Sequence, residues 1–306
     1  MATSCRLEAE LRLVVLGRAG AGKTSTVSTI MGLEQDGAAL IQEECSKHAG
    51  QAAGRQVTVV SSSDWFGSAC IPEDRKRQLC SLLALSSPGP HAFLLCVPLN
   101  QPADGEAKAL DVLEQLLGPA AVQNNTVVLF THTEELDPEE RLEEYLLTWR
   151  KDLTELVKRC GDHYHTLEAQ GKTETEEAVR ELLDKVDQAV NESGMEHFSC
   201  QLYQDVEEQI QKRQEEILKQ RQADGLNIDT EDLEAVRREA ERGVEDLDLN
   251  VDALFPCSDV PVSRSFLWRL WDMLSGWLWR LPKLVRREAL LGALVSLFVG
   301  GQLVEP

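Results

Sequence analysis

The sequence lacks several features that define common functional classes. Its 306 residues carry 31 basic and 52 acidic side chains, for a formal net charge of −21, so it has no excess positive charge with which to contact nucleic-acid phosphates. It has no run of about 18 apolar residues, the length of a membrane-spanning helix. The nearest run, Ala289 to Val304, is interrupted by Gln302. No long apolar stretch follows Met1, so no signal peptide is visible.

The eight cysteines form no pattern typical of a metal site or a disulfide framework. They include no C-x-x-C pair and show no metal-ligand clustering with histidine, so we expect reduced thiols in the cytoplasm. Apolar residues make up 42% of the chain, which indicates a folded core rather than a disordered chain. The length allows one large or two small domains.

A phosphate-loop motif lies near the start of the chain. Residues 17–24 match the pattern G-x-x-x-x-G-K-[ST] at every required position. Small residues allow successive backbone N–H groups to surround an anion, and the helix that follows directs its positive end towards the phosphates. The predicted nucleotide-binding residues here are Gly17, Arg18, Ala19, Gly20, Ala21, Gly22, Lys23, Thr24 and Ser25.

Two side chains of this loop carry specific chemistry. Lys23 supplies a mobile cation for the β- and γ-phosphates, and the hydroxyl of Thr24 is the predicted ligand of Mg²⁺. The alternative is a glycine-rich turn in which Lys23 is merely solvated. The branched apolar residues of Leu11 to Leu16, which suit a buried strand, and the helix-compatible residues after the loop favour the phosphate-loop interpretation.

Strand and helix patterns alternate after this loop. Apolar runs and apolar spacing predict strands over 55–60, 91–99, 126–130 and 164–167, and helices up to about 31 and over 72–85, 105–117, 136–161 (one or two helices) and 174–190. Residues 37–54 and 61–68 are predicted to be loops. The alternation predicts an α/β fold with the doubly wound, mostly parallel sheet of P-loop NTPases, and nucleotide at the carboxyl ends of its strands.

The chain divides into four predicted segments. Residues 1–190 form the nucleotide-binding domain, 191–246 a helical extension, 247–263 a linker and 264–306 a C-terminal tail. The extension carries a thin apolar stripe, made of Tyr203, Val206, Ile210, Ile217 and Leu218. This stripe predicts a long solvated helix or a helical hairpin, and a coiled-coil partner surface is the alternative.

The tail differs from the rest of the chain in charge. From Arg264 onward it has six basic and three acidic residues, and it carries Trp268, Trp271, Trp277 and Trp279. A basic segment rich in tryptophan before an apolar run is typical of contact with a membrane surface. The alternative is a helix that packs these tryptophans on the globular domain. We predict a cytoplasmic protein that is peripheral to, or tail-anchored on, an intracellular membrane.

Three further segments resemble the GIMAP family, the AIG-type GTPases of immunity-associated proteins. They are residues 87–95, which contain the Pro-Gly-Pro-His box of Pro88 to His91, residues 128–132 and residues 160–165. With the phosphate loop, the resemblance covers about residues 11–190. It implies a Ras-like sheet with the helical insertion of septin-related GTPases, a helical extension, GTP or GDP with Mg²⁺ as cofactors, and self-association through the G domain.

The chain departs from this family at three nucleotide-contacting features. The family's Asp-Thr-Pro, whose Asp reaches Mg²⁺ through water, is replaced by Ser61-Ser62-Ser63, and the first acidic residue is Asp64. Serine lacks the charge that orients the water shell of the metal. The base-reading Thr-Lys-x-Asp has become Thr131-His132-Thr133-Glu134, in which His132 and Glu134 are the predicted base-binding residues. Leu167-Glu168-Ala169 lacks the Asn that often supports the base.

These departures leave the phosphate cradle intact while altering the residues that hold the metal and read the base. They predict a GTP-binding protein that acts as a switch or scaffold at membranes, with weak or absent hydrolysis. The alternatives are an active GTPase that uses unusual residues and a structural interaction protein with a vestigial nucleotide site. The predicted partners are guanine nucleotide, a second G domain and a membrane, and not nucleic acid.

Overall fold

A computed structural model of the chain describes residues 10–33, 45–62, 72–133, 136, 141–167, 172–223, 230–244 and 247. Ser63, Asp64, Glu134, Glu168 and Ala169 lie outside these ranges, as do the linker beyond residue 247 and the predicted tail. Within the described ranges, no helix is long and apolar enough to cross a membrane.

Six strands form one sheet in the order β2-β3-β1-β4-β5-β6. The strands are β1 (Leu11–Leu16), β2 (Cys45–Ala52), β3 (Arg55–Ser62), β4 (Ala92–Pro98), β5 (Thr126–Thr131) and β6 (Tyr164–Thr166). Every neighbouring pair is parallel except β2 and β3, which are antiparallel. The predicted α/β fold with a mostly parallel sheet is therefore confirmed.

Helices cover both faces of this sheet because the strands are apolar on both faces. The described helices are α1 (Lys23–Met31), α2 (Pro72–Leu85), α3 (Asp104–Leu117), α4 (Pro119–Gln123), α5 (Leu142–Trp149), α6 (Lys151–Arg159), α7 (Lys172–Ser193), α8 (Gln201–Ala223) and α9 (Thr230–Arg242). On one face, α1 and α7 share a core with residues such as Val15 and Leu94. On the other, α2, α3, α8 and α9 pack with α4, α5 and α6 over residues such as Val14 and Leu95.

The predicted loop over 37–54 is wrong for Cys45–Ala52, which forms the edge strand β2. This strand is polar and only its two end residues are buried, so it carries little apolar pattern of its own. Its pairing with β3 and a two-residue turn hold it in the sheet. Ala53 and Gly54 both have positive φ, 48° and 83°, as a hairpin turn matching the twist of the strands requires.

Three other boundaries differ from the prediction. β3 continues through Ser61 and Ser62, so the predicted polar loop starts too early. A short helix, Pro119–Gln123, follows the glycine at which the preceding helix was predicted to end. Residues 136–161 contain two described helices, α5 and α6, which is one of the two predicted outcomes.

The described residues of the helical extension include α8 and α9, which pack on each other and on α2. Tyr203, Val206 and Ile210 of α8 are fully buried in the core beneath the sheet. The apolar stripe is therefore not solvated over these residues: it serves the same core as the nucleotide-binding domain. Toward the end of α8, Ile217 is only partly buried against this core.

The Pro-Gly-Pro-His box lies at the amino ends of β1 and β4. The backbone N–H of Arg12 donates to Nδ1 of His91 at 2.9 Å, and the backbone N–H of His91 donates to the carbonyl of Arg12 at 2.7 Å. The Phe198 N–H donates to the Pro90 carbonyl at 2.8 Å. The box thus joins two strands to the segment that leads into α8.

A chain of ion pairs joins the extension to both α2 and β2. Ser87, just after α2, donates to Glu207 of α8 at 2.6 Å, and Arg237 of α9 contacts the same carboxylate at 2.6 and 2.8 Å. Arg237 also contacts Glu241 at 3.1 Å, and Lys47 of β2 donates to Glu241 at 2.9 Å. Burial alone would raise the pKa of Glu207, but the hydrogen bonds from Arg237 and Ser87 lower it to about 2.

Candidate functional site

The phosphate loop lies at the carboxyl end of β1, where the chain turns into α1. Gly22 caps α1 in a left-handed conformation, with φ 85°. Because Gly22 has no side chain and none of the residues in the first turn of α1 is acidic, no carboxylate of that turn competes for the N–H groups at the helix start. This end of the helix is therefore suited to an anion.

The ammonium of Lys23 lies within the loop. Its Nζ donates to the carbonyls of Gly17 at 2.6 Å and Arg18 at 2.9 Å. The Ala21 N–H also donates to the Arg18 carbonyl, at 3.1 Å. These bonds fix the cation at the mouth of the cradle, where the sequence motif places the β- and γ-phosphates of a nucleotide.

Thr131, at the end of β5, closes the opposite side of the loop. Its hydroxyl donates to the carbonyl of Ala21 at 3.0 Å. A Cβ on Gly22 would lie 3.1 Å from the Thr131 methyl group, and the φ of Gly22 is positive, so the close approach of β5 and the backbone conformation both favour glycine there. Sequence reasoning placed Thr131 in the base-reading motif and missed this contact with the phosphate loop.

A cleft of about 100 Å³ continues from the loop along α1. Ser25 and Thr29 line one wall, and Phe130, His132 and Leu167 line the other. His132 has a φ of 58°, a left-handed conformation that is uncommon for a residue with a side chain. The structure thus brings predicted residues Gly22, Ser25 and His132 together at one cleft.

The carboxyl end of β3 lies beside the end of β1. Ser61 pairs with Val15 in the parallel register, and the buried hydroxyl of Ser62 donates to the Val15 carbonyl at 3.4 Å. Two hydroxyls thus occupy the strand end where the family places a carboxylate. In the ranges that the structure covers, no group of three or more His, Cys, Asp or Glu side chains could hold a metal ion.

A buried cysteine lies below the loop. The thiol of Cys96 is 3.4 Å from the Thr26 hydroxyl of α1, and a Cβ on Gly17 would lie 3.1 Å from Cys96 Cβ. Burial raises the pKa of Cys96 to about 11, so the thiol stays protonated at neutral pH and is a packing residue. The side chain of Cys96 therefore leaves little room for a side chain at Gly17, the first glycine of the motif.

The side chain of Arg18 extends from the loop to α3. Its Nε is 2.8 Å from Oε1 of Glu106, whose side chain is 0% exposed. Arg18 was predicted to contact nucleotide together with the rest of the motif, and nothing in the sequence indicated an acidic partner for it, since 88 positions separate Glu106 from it.

Comparison with known proteins places these features in a family. The model of the AIG1 family matches residues 11–217. Mouse GTPase IMAP family member 8 is 28% identical over 194 residues, which are 61% of this chain and 28% of that protein. Immune-associated nucleotide-binding protein 9 of Arabidopsis thaliana is 26% identical over 220 residues, 67% of this chain and 64% of the relative. The chain therefore spans less than a third of the length of the mouse protein.

Solved structures with a similar arrangement include Toc33 from Arabidopsis thaliana in complex with GDP and Mg²⁺. It has a TM-score of 0.45 and 14% identity, covering 58% of this chain and 85% of that one. The G domain of the T. maritima FeoB iron transporter has a TM-score of 0.38 and 17% identity, with 59% and 98% covered.

Proposed function

Because the chain belongs to the AIG1 family, we propose that it is a guanine-nucleotide-binding protein whose affinity rests on its phosphate loop and whose hydrolysis is weak or absent. One observation carries this proposal. The loop residues, Lys23 and Thr131 form a hydrogen-bonded cradle at the carboxyl end of the sheet, where α/β proteins of this type bind ligands.

Guanine is the proposed base because relatives of this family are named as GTPases. The carboxylate of Glu134, by its position in the motif, would accept from the N1 and N2 donors of guanine. Adenine has no N1–H donor. The side chain of Glu134 is longer than the family's Asp, and no Asn lies near Leu167. Both differences reduce the expected preference for guanine over adenine.

Magnesium fits this site only in part. Thr24 would supply one oxygen and the nucleotide phosphates the others, while Ser61 and Ser62 supply no charge to orient the metal's waters. Bound Mg²⁺ would neutralise charge on the β- and γ-phosphates, which is the main source of stabilisation for phosphoryl transfer. A poorly held metal therefore leads to slow turnover and favours a binding role, as a switch or scaffold.

The proposed setting is the cytoplasmic surface of an intracellular membrane. The six basic residues and four tryptophans after residue 263 support contact with an anionic leaflet, to which each basic residue contributes about 1 kcal/mol. Flotation with anionic vesicles tests this. The full chain should float at low salt, and a chain ending at Pro261 should stay in solution. If the full chain and the shortened chain both stay in solution at low salt, membrane contact through the tail is ruled out.

The bound ligand can be identified directly. We expect acid extraction of the purified protein, followed by chromatography, to release GDP or GTP. Competition of GTP against ATP for the empty protein should favour GTP. A clear preference for ATP would overturn the guanine assignment, and a protein that binds neither would indicate a structural interaction protein with a vestigial site.

Hydrolysis is tested separately, by phosphate release in a single turnover. The parent should release phosphate slowly, and Ser61→Asp should release it faster because it restores a carboxylate at the end of β3. Gln51→Asp, an exposed position that pairs with Gln56 at the far end of the edge strand β2, is the control for adding a charge. Rapid release by the parent would show an active GTPase with unusual residues.

A further inference from the structure

The side chain of Arg18 is held by residues outside the nucleotide-binding motif. Its Nε lies 2.8 Å from Oε1 of Glu106, in the first turn of α3. Its Nη2 donates to the carbonyl of Pro102 at 3.3 Å. Arg18 itself keeps 25% of its side chain exposed. One motif residue thus connects the phosphate loop to the segment between β4 and α3.

The acidic partner of Arg18 is completely buried. A carboxylate at 0% exposure is costly unless a cation lies beside it, because water cannot stabilise its charge. The start of α3 adds a favourable dipole for an acidic side chain in its first turn, and Arg18 supplies the nearby positive charge. The position of Glu106 in α3 therefore determines where the guanidinium of Arg18 lies.

Residues 99–103, which include the Pro102 acceptor of Arg18, are also bonded to the start of α6 and to the residue before it. Arg150, between α5 and α6, donates to the carbonyls of Leu99 and Gln101, the latter at 2.6 Å. Asp152 accepts from the Ala103 N–H at 3.3 Å. Arg150 and Asp152 thus hold residues 99–103, which include the Pro102 carbonyl that accepts from Arg18.

The backbone of Arg18 holds the ammonium that serves the phosphates. Its carbonyl accepts from Lys23 Nζ at 2.9 Å and from the Ala21 N–H at 3.1 Å. A shift of the Arg18 backbone would therefore move one of the two carbonyls to which Lys23 donates, the other being that of Gly17 at 2.6 Å. The anchored side chain and the acceptor carbonyl belong to a single residue of the loop.

We propose that Arg18 is a positioning residue for phosphate binding: Glu106 and the 99–103 loop fix its side chain, and its carbonyl, together with that of Gly17, thereby sets the place of the Lys23 ammonium. The inference deepens the proposed function and rests on it. The positioning role can be told apart from a simple charge effect. The negative charge of Glu106 opposes phosphate binding, whereas the contact of Glu106 with Arg18 promotes phosphate binding.

Glu106→Gln separates these two effects by sign. If only charge matters, removal of a carboxylate near the loop strengthens binding of an anion. If positioning matters, binding weakens, by about tenfold. The measurement is calorimetric titration with inorganic tripolyphosphate, which tests the phosphate cradle whatever the base. Arg18→Lys, which keeps a cation for Glu106, should stay within about twofold of the parent.

A second variant tests the positioning role in a protein that is expected to stay folded. Arg18→Met/Glu106→Leu replaces the ion pair with apolar side chains and leaves no buried charge, so its melting temperature should stay near that of the parent. Its affinity for tripolyphosphate should still fall about tenfold. Arg55→Met is the matched control, because it breaks an ion pair with Asp187 (2.7 Å) at the other end of the sheet.

The outcomes distinguish the two proposals. If the folded double variant binds tripolyphosphate as tightly as the parent, or if Glu106→Gln binds more tightly, the positioning role is overturned and the proposed function stands. If the parent binds neither tripolyphosphate nor nucleotide, the proposed function fails and the positioning role fails with it.

Discussion

The two ends of the sheet are built from different parts of the chain. At the carboxyl end, the phosphate loop is formed by backbone groups and small residues around Lys23, within eight consecutive positions. At the amino end, the Pro-Gly-Pro-His box contacts Arg12, and the segment before α8 contacts the box. The phosphate loop itself is formed by consecutive residues and is suited to a ligand, although Thr131 and Glu106 support it from a distance. The contacts at the amino end join residues far apart in sequence, and they are made within the protein itself.

This difference separates binding from stability. A change at the amino end should cost free energy of unfolding and leave ligand affinity unchanged, because its groups contact other parts of the fold. A change in the phosphate loop should do the reverse, because its donors serve a ligand. The predictions below test that separation, from the largest expected change in free energy to the smallest.

Gly89→Ala should have the largest effect, and only on stability. A Cβ at this position would lie 2.0 Å from the Phe198 carbonyl oxygen, at a φ of 145°, so the segment before α8 would have to move. We expect a loss of about 4 kcal/mol in the free energy of unfolding, measured by chemical denaturation.

Gly194→Ala is its matched control. Gly194 also has positive φ, 70°, but a Cβ there would have no atom within 4 Å, so only the backbone strain remains, about 1 kcal/mol. Equal losses in the two variants would show that the contact of the box with Phe198 does not stabilise the fold.

Arg237→Met should destabilise the protein by about 3 kcal/mol, since it leaves the carboxylates of Glu207 and Glu241 without this cation. Glu241 has only 1% of its side chain exposed. Arg180→Met, which breaks an exposed pair with Glu177, should cost less than about 1 kcal/mol. Thermal melting of the two variants compares their losses of stability. Equal losses would show that the ion pairs of Arg237 do not stabilise the fold.

Acidification should destabilise the amino end through His91. Burial, followed by the nearby charge of Arg12, lowers the pKa of His91 to about 4 from an ordinary value of 6.5. Below pH 6.5 the unfolded chain therefore binds a proton at His91 that the folded chain does not bind. The free energy of unfolding keeps its full value above pH 6.5 and falls as the pH drops towards 4. Between pH 7 and pH 5 this amounts to about 2 kcal/mol.

His91→Asn tests this pH dependence, because its side-chain oxygen can accept from the Arg12 N–H without titrating. The variant should lose less stability than the parent between pH 7 and pH 5, by urea unfolding. His165 and His197, whose pKa values burial also lowers, are present in both proteins and cancel in the comparison. Parallel pH profiles would show that His91 does not titrate as described.

The same contrast explains which features the sequence could predict. The phosphate loop, its strand and its helix are specified by adjacent residues, so the motif and the apolar run of Leu11 to Leu16 predicted them directly. The resemblance to the GIMAP family is confirmed by the AIG1 match. The strands β1, β4 and β5 were predicted because buried parallel strands are apolar on both faces.

Features that depend on distant residues escaped prediction. β2 is polar and is a strand only because β3 pairs with it. The apolar stripe of α8 predicted a long solvated helix or a helical hairpin, and its burial in the core of the nucleotide-binding domain was not predicted because its partners on α2 lie more than a hundred positions earlier. The contacts of Arg18 with Glu106, and of Thr131 with Ala21, needed the folded sheet to bring β1, β5 and α3 together.

The central claim is that the phosphate loop binds nucleotide, and Lys23→Ala tests it most directly. Titration with a fluorescent GTP analogue should show affinity reduced tenfold or more, which is about 1.4 kcal/mol, with little change in melting temperature. Lys185→Ala is the matched control: its ammonium also donates to a carbonyl, that of Tyr164 at 2.8 Å, on the edge strand β6, which is separated from β1 by β4 and β5, and its loss should leave affinity unchanged. Equal affinity of Lys23→Ala and the parent would contradict the claim.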